Sequence, residues 1–232
     1  MIGRLSALAT LLTSAAALAQ GSVTGVVKLG GPAPQRPAYK VTKDATVCGA
    51  AQPNESLVVS PAGALANVVV SLRAPRPAAP PPPTPNAAVD QRGCRYEPHV
   101  QAVTAGTPLA LVNSDAVLHN VHGSAGPIQV FNVAMPIRNQ RLPTKLTRPG
   151  LVRLQCDAGH TWMGAWIYVF DHPYFAVTGA DGKFAIKDVP PGHYTVEYWH
   201  EPADGKGPGV TSTAAVDVKD GATTNADATL KL

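Results

Sequence analysis

The chain has 232 residues, 45% hydrophobic and 15% charged, a balance that excludes a disordered polymer and leaves room for one large domain or two small ones. A formal net charge of +4 with no run of Lys or Arg argues against a nucleic-acid-binding protein. The 21 Gly and 23 Pro stand mostly between short apolar runs, the punctuation of an all-β protein rich in turns.

Residues 1–19 read as a secretory signal peptide. Arg4 supplies the positive start, Leu5 to Leu18 is a run of apolar and small residues, and Ala17-Leu18-Ala19 offers a small-residue cleavage site. The run is shorter than the ~20 apolar residues that a membrane-spanning helix needs, and nothing later in the chain resembles a span. No cysteine follows the cleavage site to carry a lipid. The expected mature protein is therefore soluble, begins near Gln20 and resides in the periplasm.

Gly21 to Leu29 (GSVTGVVKL) alternates small or polar with apolar residues and predicts a strand; Leu65 to Leu72 (LANVVVSL) predicts another. Between them lies a loop-rich stretch with Cys48. Pro75 to Pro85 is nearly all Pro and Ala and predicts a stiff connector within a linker over 75–88. Strands are then expected at His99–Thr104, Pro108–Asn113, Leu151–Gln155 and Ala165–Phe170. Phe175 to Ile186 (FAVTGADGKFAI) predicts a hairpin about the Asp181-Gly182 turn. A Pro190-Pro191-Gly192 turn and strands at Tyr194–Trp199, Thr213–Val218 and Asp227–Leu232 complete the chain.

Chemistry concentrates in two segments. Cys156 to Met163 reads CDAGHTWM, placing a thiol, an imidazole and a thioether in one loop between two expected strands. Asn113 to Val121 reads NSDAVLHNV and puts His119 just past another strand end. Two imidazoles, one thiolate and a weak axial thioether suit a copper electron-transfer centre: the sulfur ligands favour the reduced ion, and the imidazoles accept both oxidation states. His122, three residues from His119, would face the other side of a regular strand and is a reserve ligand. His99, His172, His193 and His200 are expected to be ordinary structural or surface residues. Three cysteines in an oxidising compartment would leave one thiol unpaired after one disulfide forms.

These segments resemble the cupredoxins. NSDAVLHNV is similar to the strand end that presents the first copper histidine in that family, and YEPHVQAVTAGTPLALVNSD is similar to the two strands before it. The Cys-x3-His-x2-Met spacing resembles half of the dinuclear copper loop of cytochrome oxidase subunit II. The position of that loop's other cysteine is Val152 here, so the resemblance implies one copper ion. The His-x2-Met ending is also similar to the amicyanin loop, which has one residue fewer between Cys and His.

The resemblance implies His119, Cys156 and His160 as equatorial ligands, Met163 as the axial one, and Asn120 as the residue that braces the two ligand loops. It further implies that the edge of His160 faces solvent as an electron port, within an apolar rim of Met135-Pro136 and Trp162. With Cys156 taken as the metal thiolate, Cys48 and Cys94 are left to form a disulfide.

The flanking strands (GSVTGVV, ANVVVSL, AVTGADGKFAI, VPPGHYTVEYW) resemble the carboxypeptidase-regulatory-like, or transthyretin-like, β-sandwich. The implied architecture is all-β: a cupredoxin-like Greek-key sandwich over 89–171 inserted into a discontinuous sandwich of 21–75 and 172–232. The expected function is an electron carrier serving a redox protein partner. A periplasmic copper-handling protein and a non-redox cell-envelope interaction module are the alternatives. An enzyme is not expected, since no GxSxG or HExxH motif and no second paired-histidine copper constellation occurs.

Overall fold

The computed structural model describes residues 19–73, 81–202 and 207–232. The expected signal peptide lies outside these residues except for Ala19, as does the first part of the Pro-rich linker. Nearly every regular element described is a strand, and these are numbered in chain order. Four sheets pair face to face as two sandwiches, each around its own apolar core.

The first sandwich is built from both ends of the chain. One sheet holds β15 (Lys183–Val189), β1 (Gly21–Leu29) and β18 (Thr223–Asn225), with β19 (Ala228–Leu230) pairing farther along β1. The other holds β14 (Phe175–Val177), β4 (Val69–Arg73), β16 (Gly192–His200) and β17 (Val210–Val218). Strand alternation sends Val23, Val27, Val70, Leu72, Val196 and Tyr198 into the space between these sheets.

The second sandwich comes from the middle of the chain. Its larger sheet has the order β10 (Ile128–Met135), β9 (His119–Ala125), β12 (Gly150–Gln155), β13 (Gly164–Phe170) and β7 (Val100–Thr104). The smaller has β11 (Gln140–Lys145), β8 (Pro108–Asn113), β5 (Ala88–Arg92) and β6 (Arg95–Glu97). The end of the Pro-rich segment is fastened to it: Thr104 Oγ1 donates to the Pro82 carbonyl at 2.8 Å, and the Thr84 amide donates to Thr107 Oγ1 at 2.9 Å.

Alternation along β13 explains how the two sandwiches meet. Ala165, Ile167 and Val169 enter the core of the second sandwich, while Trp166, Tyr168 and Phe170 point the other way. That outward face packs on Val69 of β4 and Trp199 of β16, with Val100 of β7 completing a third apolar cluster. Both β4 and β13 are thus covered on two faces, which accounts for their near-continuous apolar sequences. An ion pair seals the edge of this contact. His99 Nε2 meets the Glu201 carboxylate, whose other oxygen accepts the Trp166 indole N–H at 3.0 Å.

Two expected elements change. The strand expected from Leu65 begins only at Val69, because Asn67 takes a left-handed backbone (φ 62°) that interrupts it. The segment 175–186 is not a paired hairpin. Its turn forms, with the Gly182 amide bonded to the Gly179 carbonyl at 2.9 Å. However, β14 pairs with β4 and β15 with β1, so the two arms enter opposite sheets. The backbone explains the divergence: Gly182 sits at φ 70° with Val27 O only 2.6 Å from where a Cβ would stand, and this close approach turns the chain from one sheet to the other.

Between β1 and β4 an arm leaves the first sandwich. A two-stranded ribbon, β2 (Tyr39–Lys40) with β3 (Ala51–Gln52), carries a single-turn helix, α1 (Ala45–Cys48), at its tip. The tip inserts Val41 and Cys48 into the core of the second sandwich, where Cys48 is joined to Cys94 by a disulfide.

Candidate metal centre

Topology brings the two chemistry-bearing segments together. Strands β9 and β12 are antiparallel neighbours with Gln155 opposite His122, so the first residue of β9 lies beside the loop that follows β12. His119 opens β9, and Cys156 begins that loop. Their ligand atoms and that of His160 all lie within 4.8 Å of one another, and all three residues are buried. The Nδ1 atoms of His119 and His160 are 3.1 Å apart, and the Cys156 sulfur is 3.6 Å from His160 Nδ1. Met163 is buried in the same core cluster as Cys156, and its amide bonds the His160 carbonyl at 2.9 Å, closing the turn that carries both side chains.

Each imidazole is held from behind. His119 Nε2 is 3.0 Å from Asp115 Oδ2, and His160 Nε2 is 2.9 Å from Asp44 Oδ2. Asp115 is itself fixed by the amides of Gly93 and Cys94, at 2.8 and 2.7 Å. Burial opposes its charge, but the His119 and backbone hydrogen bonds outweigh burial and hold its carboxyl below the usual range. Carboxylates accept hydrogen bonds and do not donate them, so each ring presents Nε2–H outward and a bare Nδ1 inward. Two lone pairs facing each other at 3.1 Å repel unless a positive centre stands between them.

The thiol is prepared for the same role. Burial pushes Cys156 up, but the bond to His119 and the amides of Asn120 and Ala158 hold it below its ordinary value, towards thiolate. Burial lowers His119, whereas Asp115 and the Cys156 sulfur raise it to about 8. Burial and the charge of His119 push His160 down, against the pull of Asp44. Without a metal, a proton on His119, the more basic of the two rings, supplies that positive charge. A metal ion is the other cation that this donor set fits: two bare imidazole nitrogens and a sulfur disposed to ionise. Cys94, Asp115 and His119 also come close together, but the Cys94 sulfur is spent in the disulfide and offers no thiolate.

Asn120 braces the loop, its Oδ1 accepting the Asp157 amide at 2.5 Å and the Ala158 amide at 3.2 Å. His122 does not join the group. It bonds Asp157 Oδ2 at 2.7 Å on the more exposed side of β9, as its odd spacing from His119 requires. The edge of His160 is not a solvent-facing port: the residue is fully buried beneath the arm, because Asp44 covers its Nε2. Met135 does not form a rim either. It is fully buried, with its sulfur accepting Gln91 Nε2 at 3.1 Å, whereas Pro136 and Ile137 beside it are exposed. Trp162 meets the His160 ring edge-on, the centroids 5.3 Å apart. Beside the centre a cavity of about 560 Å³ opens between the sandwiches, with Cys156, Met163 and Trp162 in one wall and Tyr39, Arg95 and Glu201 among the others.

Sequence reasoning missed both carboxylates. Asp115 stands in the quoted NSDAVLHNV segment four residues before His119, a signal that could have been read. Asp44 lies 116 residues from its partner, and no local pattern announces it.

No family model matches the chain, and no curated protein does. Several solved structures of copper proteins are similar to part of the chain. They include a purple cupredoxin from Nitrosopumilus maritimus, at 21% identity over 37% of this chain and all of that one, with a TM-score of 0.33. A reduced amicyanin variant is 20% identical over 44% of this chain and 98% of its own, with a TM-score of 0.33. A copper-containing nitrite reductase from Thermus scotoductus SA-01 is 23% identical over 36% of this chain, also at 0.33, and the match spans only 22% of that enzyme.

Proposed function

We propose that the chain is an exported, periplasmic copper protein that carries electrons to or from a redox protein partner, holding one copper ion with His119, Cys156, His160 and Met163. The observation that carries this reading is the pair of Nδ1 atoms 3.1 Å apart, both turned inward by carboxylates on Nε2, with Cys156 beside them. The thioether at Met163 favours copper over zinc, which gains little from such a ligand. Bound there, copper would supply a one-electron couple.

The chain's own residues supply the rest. Asp115 and Asp44 fix the two rings, Asn120 pins the Cys156 loop, and the packed second sandwich keeps ligand positions unchanged between redox states. In the same reading, residues 89–171 form the copper-binding unit, inserted into a transthyretin-like unit of 21–75 and 172–232, and residues 1–19 direct export.

The test is the visible and electron paramagnetic resonance spectrum of the mature protein with one equivalent of Cu(II), beside Cys156→Ser. The expected result is an intense thiolate-to-copper band that the variant lacks. Spectra of ordinary nitrogen and oxygen ligation, identical in both proteins, would overturn the proposal.

A further inference from the structure

The arm between β1 and β4 reaches the candidate centre at several points. Asp44 bonds His160 Nε2 at 2.9 Å, and Lys43 Nζ donates to the Ala158 carbonyl at 2.6 Å. Gly159, at φ 98°, lies so close under Lys43 that a Cβ there would stand 2.9 Å from the lysine Cδ. Cys48 ties the tip of the arm to Cys94, and the Cys94 amide bonds Asp115, the carboxylate behind the other histidine. The disulfide therefore links the two segments that hold the two imidazoles.

Asp44 is an unusual residue to find in this place. It occupies the N-cap position of α1, where an Asp side chain ordinarily accepts an amide of the first turn, yet it makes no such bond. Its backbone is left-handed (φ 52°), a conformation that Gly or Asn adopts more readily. A carboxylate held by a left-handed backbone, and not used to cap its own helix, is free to serve another group, and its Oδ2 points at His160.

We infer that Asp44, supplied by the first sandwich, is a positioning residue for the metal centre in the second: it fixes His160 as the Nε2–H tautomer, so that Nδ1 is the free ligand atom, and it closes the ring edge to solvent. The inference rests on the copper reading for its consequence and on the hydrogen-bond geometry for its cause. A carboxylate behind a ligating imidazole makes the ring a stronger donor, and loss of such a partner typically costs about 10- to 100-fold in metal affinity. A stronger donor favours the oxidised ion over the reduced one.

The experiment compares wild type with Asp44→Gly, which relaxes the backbone and deletes the carboxylate, and with Asp44→Asn, which suits the same backbone and keeps only an amide. In metal-free protein near pH 8, the imidazole ¹⁵N shifts of His160 should report the Nε2–H tautomer in wild type and a mixture in Asp44→Gly, with Asp44→Asn between them. With copper, Cu(II) affinity should fall about tenfold or more in Asp44→Gly. If Cu(I) affinity holds, tenfold corresponds to a rise of about 59 mV in reduction potential.

An unchanged His160 tautomer in folded Asp44→Gly, or in Asp44→Asn should the Gly variant fail to fold, would overturn the assignment. So would an unchanged Cu(II) affinity in Asp44→Gly where the wild type shows the thiolate band. A shifted tautomer in a protein that gives no thiolate band would instead refute the copper reading and leave the positioning role in place.

Discussion

Replacing Glu201 by Gln tests whether a buried ion pair fastens the two sandwiches. The side chains of His99 and Glu201 are only 11% and 4% exposed. His99 Nδ1 lies 3.0 Å from the Gly164 carbonyl, which can only accept, and its Nε2 faces a carboxylate. Both ring nitrogens therefore donate, and the ring is an imidazolium. Burial pulls His99 down from its ordinary value of 6.5, but the Glu201 hydrogen bond and charge, aided by Glu55 and the Gly164 carbonyl, raise it overall.

Breaking a buried pair by removing one partner costs about 3–5 kcal/mol, and Gln retains enough hydrogen bonding to place the loss at the lower end, about 3 kcal/mol. The sign with pH follows from the raised value. The stabilisation is fully present below 6.5, the value of the unfolded group, and is lost as pH rises through the higher folded value. Urea unfolding of metal-free wild type and Glu201→Gln, followed by Trp fluorescence over a pH series, should show a gap near 3 kcal/mol at about pH 5.5 that closes steadily on the alkaline side. A gap of the same size at every pH would mean that His99 is neutral in the folded protein, and the ion-pair argument would be wrong.

Three further outcomes are expected. Leu111 is fully buried in the second core, and Leu111→Ala should cost about 2–5 kcal/mol in urea unfolding. Removing the disulfide with Cys48→Ala and Cys94→Ala opens a 46-residue loop and should lower stability by about 2–4 kcal/mol; peptide mapping of the oxidised wild type should find the two cysteines joined and Cys156 free. Gly182→Ala forces a Cβ against Val27 O at a positive φ, at a cost of about 1–3 kcal/mol. Its hydrogen-exchange signature should be confined to β1 and β15, with β8 and β9 unaffected.

Period-two alternation made much of the architecture legible. GSVTGVVKL reads as a strand by that alternation, and GAWIYVF by a short continuous apolar run that is buried on both faces. Strand β11, by contrast, carries mostly polar residues on an exposed edge, and the largely apolar β10 lies exposed at the edge of its sheet with no clean alternation. Pairing was harder to read than strand existence. The turn at Asp181-Gly182 is the same whether its arms pair with each other or part, and only β1 and β4, more than a hundred residues upstream, decide between them.

At the candidate centre, the donor residues His119, Cys156 and His160 could be named from chemical type and local spacing, because each follows or precedes a strand end. The burial of His160 and the inward turn of Met135 could not. Both depend on what other segments bring to the site: the arm covers His160, and Gln91 draws the Met135 sulfur inward.

The discontinuous first sandwich has a consequence for the order in which the chain matures. As the polypeptide emerges, β1 and β4 appear early, yet every strand that pairs with them lies after residue 174. Apart from the bridge between Lys28 and Ala64, they must wait for their partners while the whole of the second sandwich is delivered. The arm does not share that delay, because Cys94 follows Cys48 by 46 residues and can capture it long before the last strands arrive. An early oxidation step would thus moor the arm that carries Asp44 to the second sandwich before the last strands of the first are made.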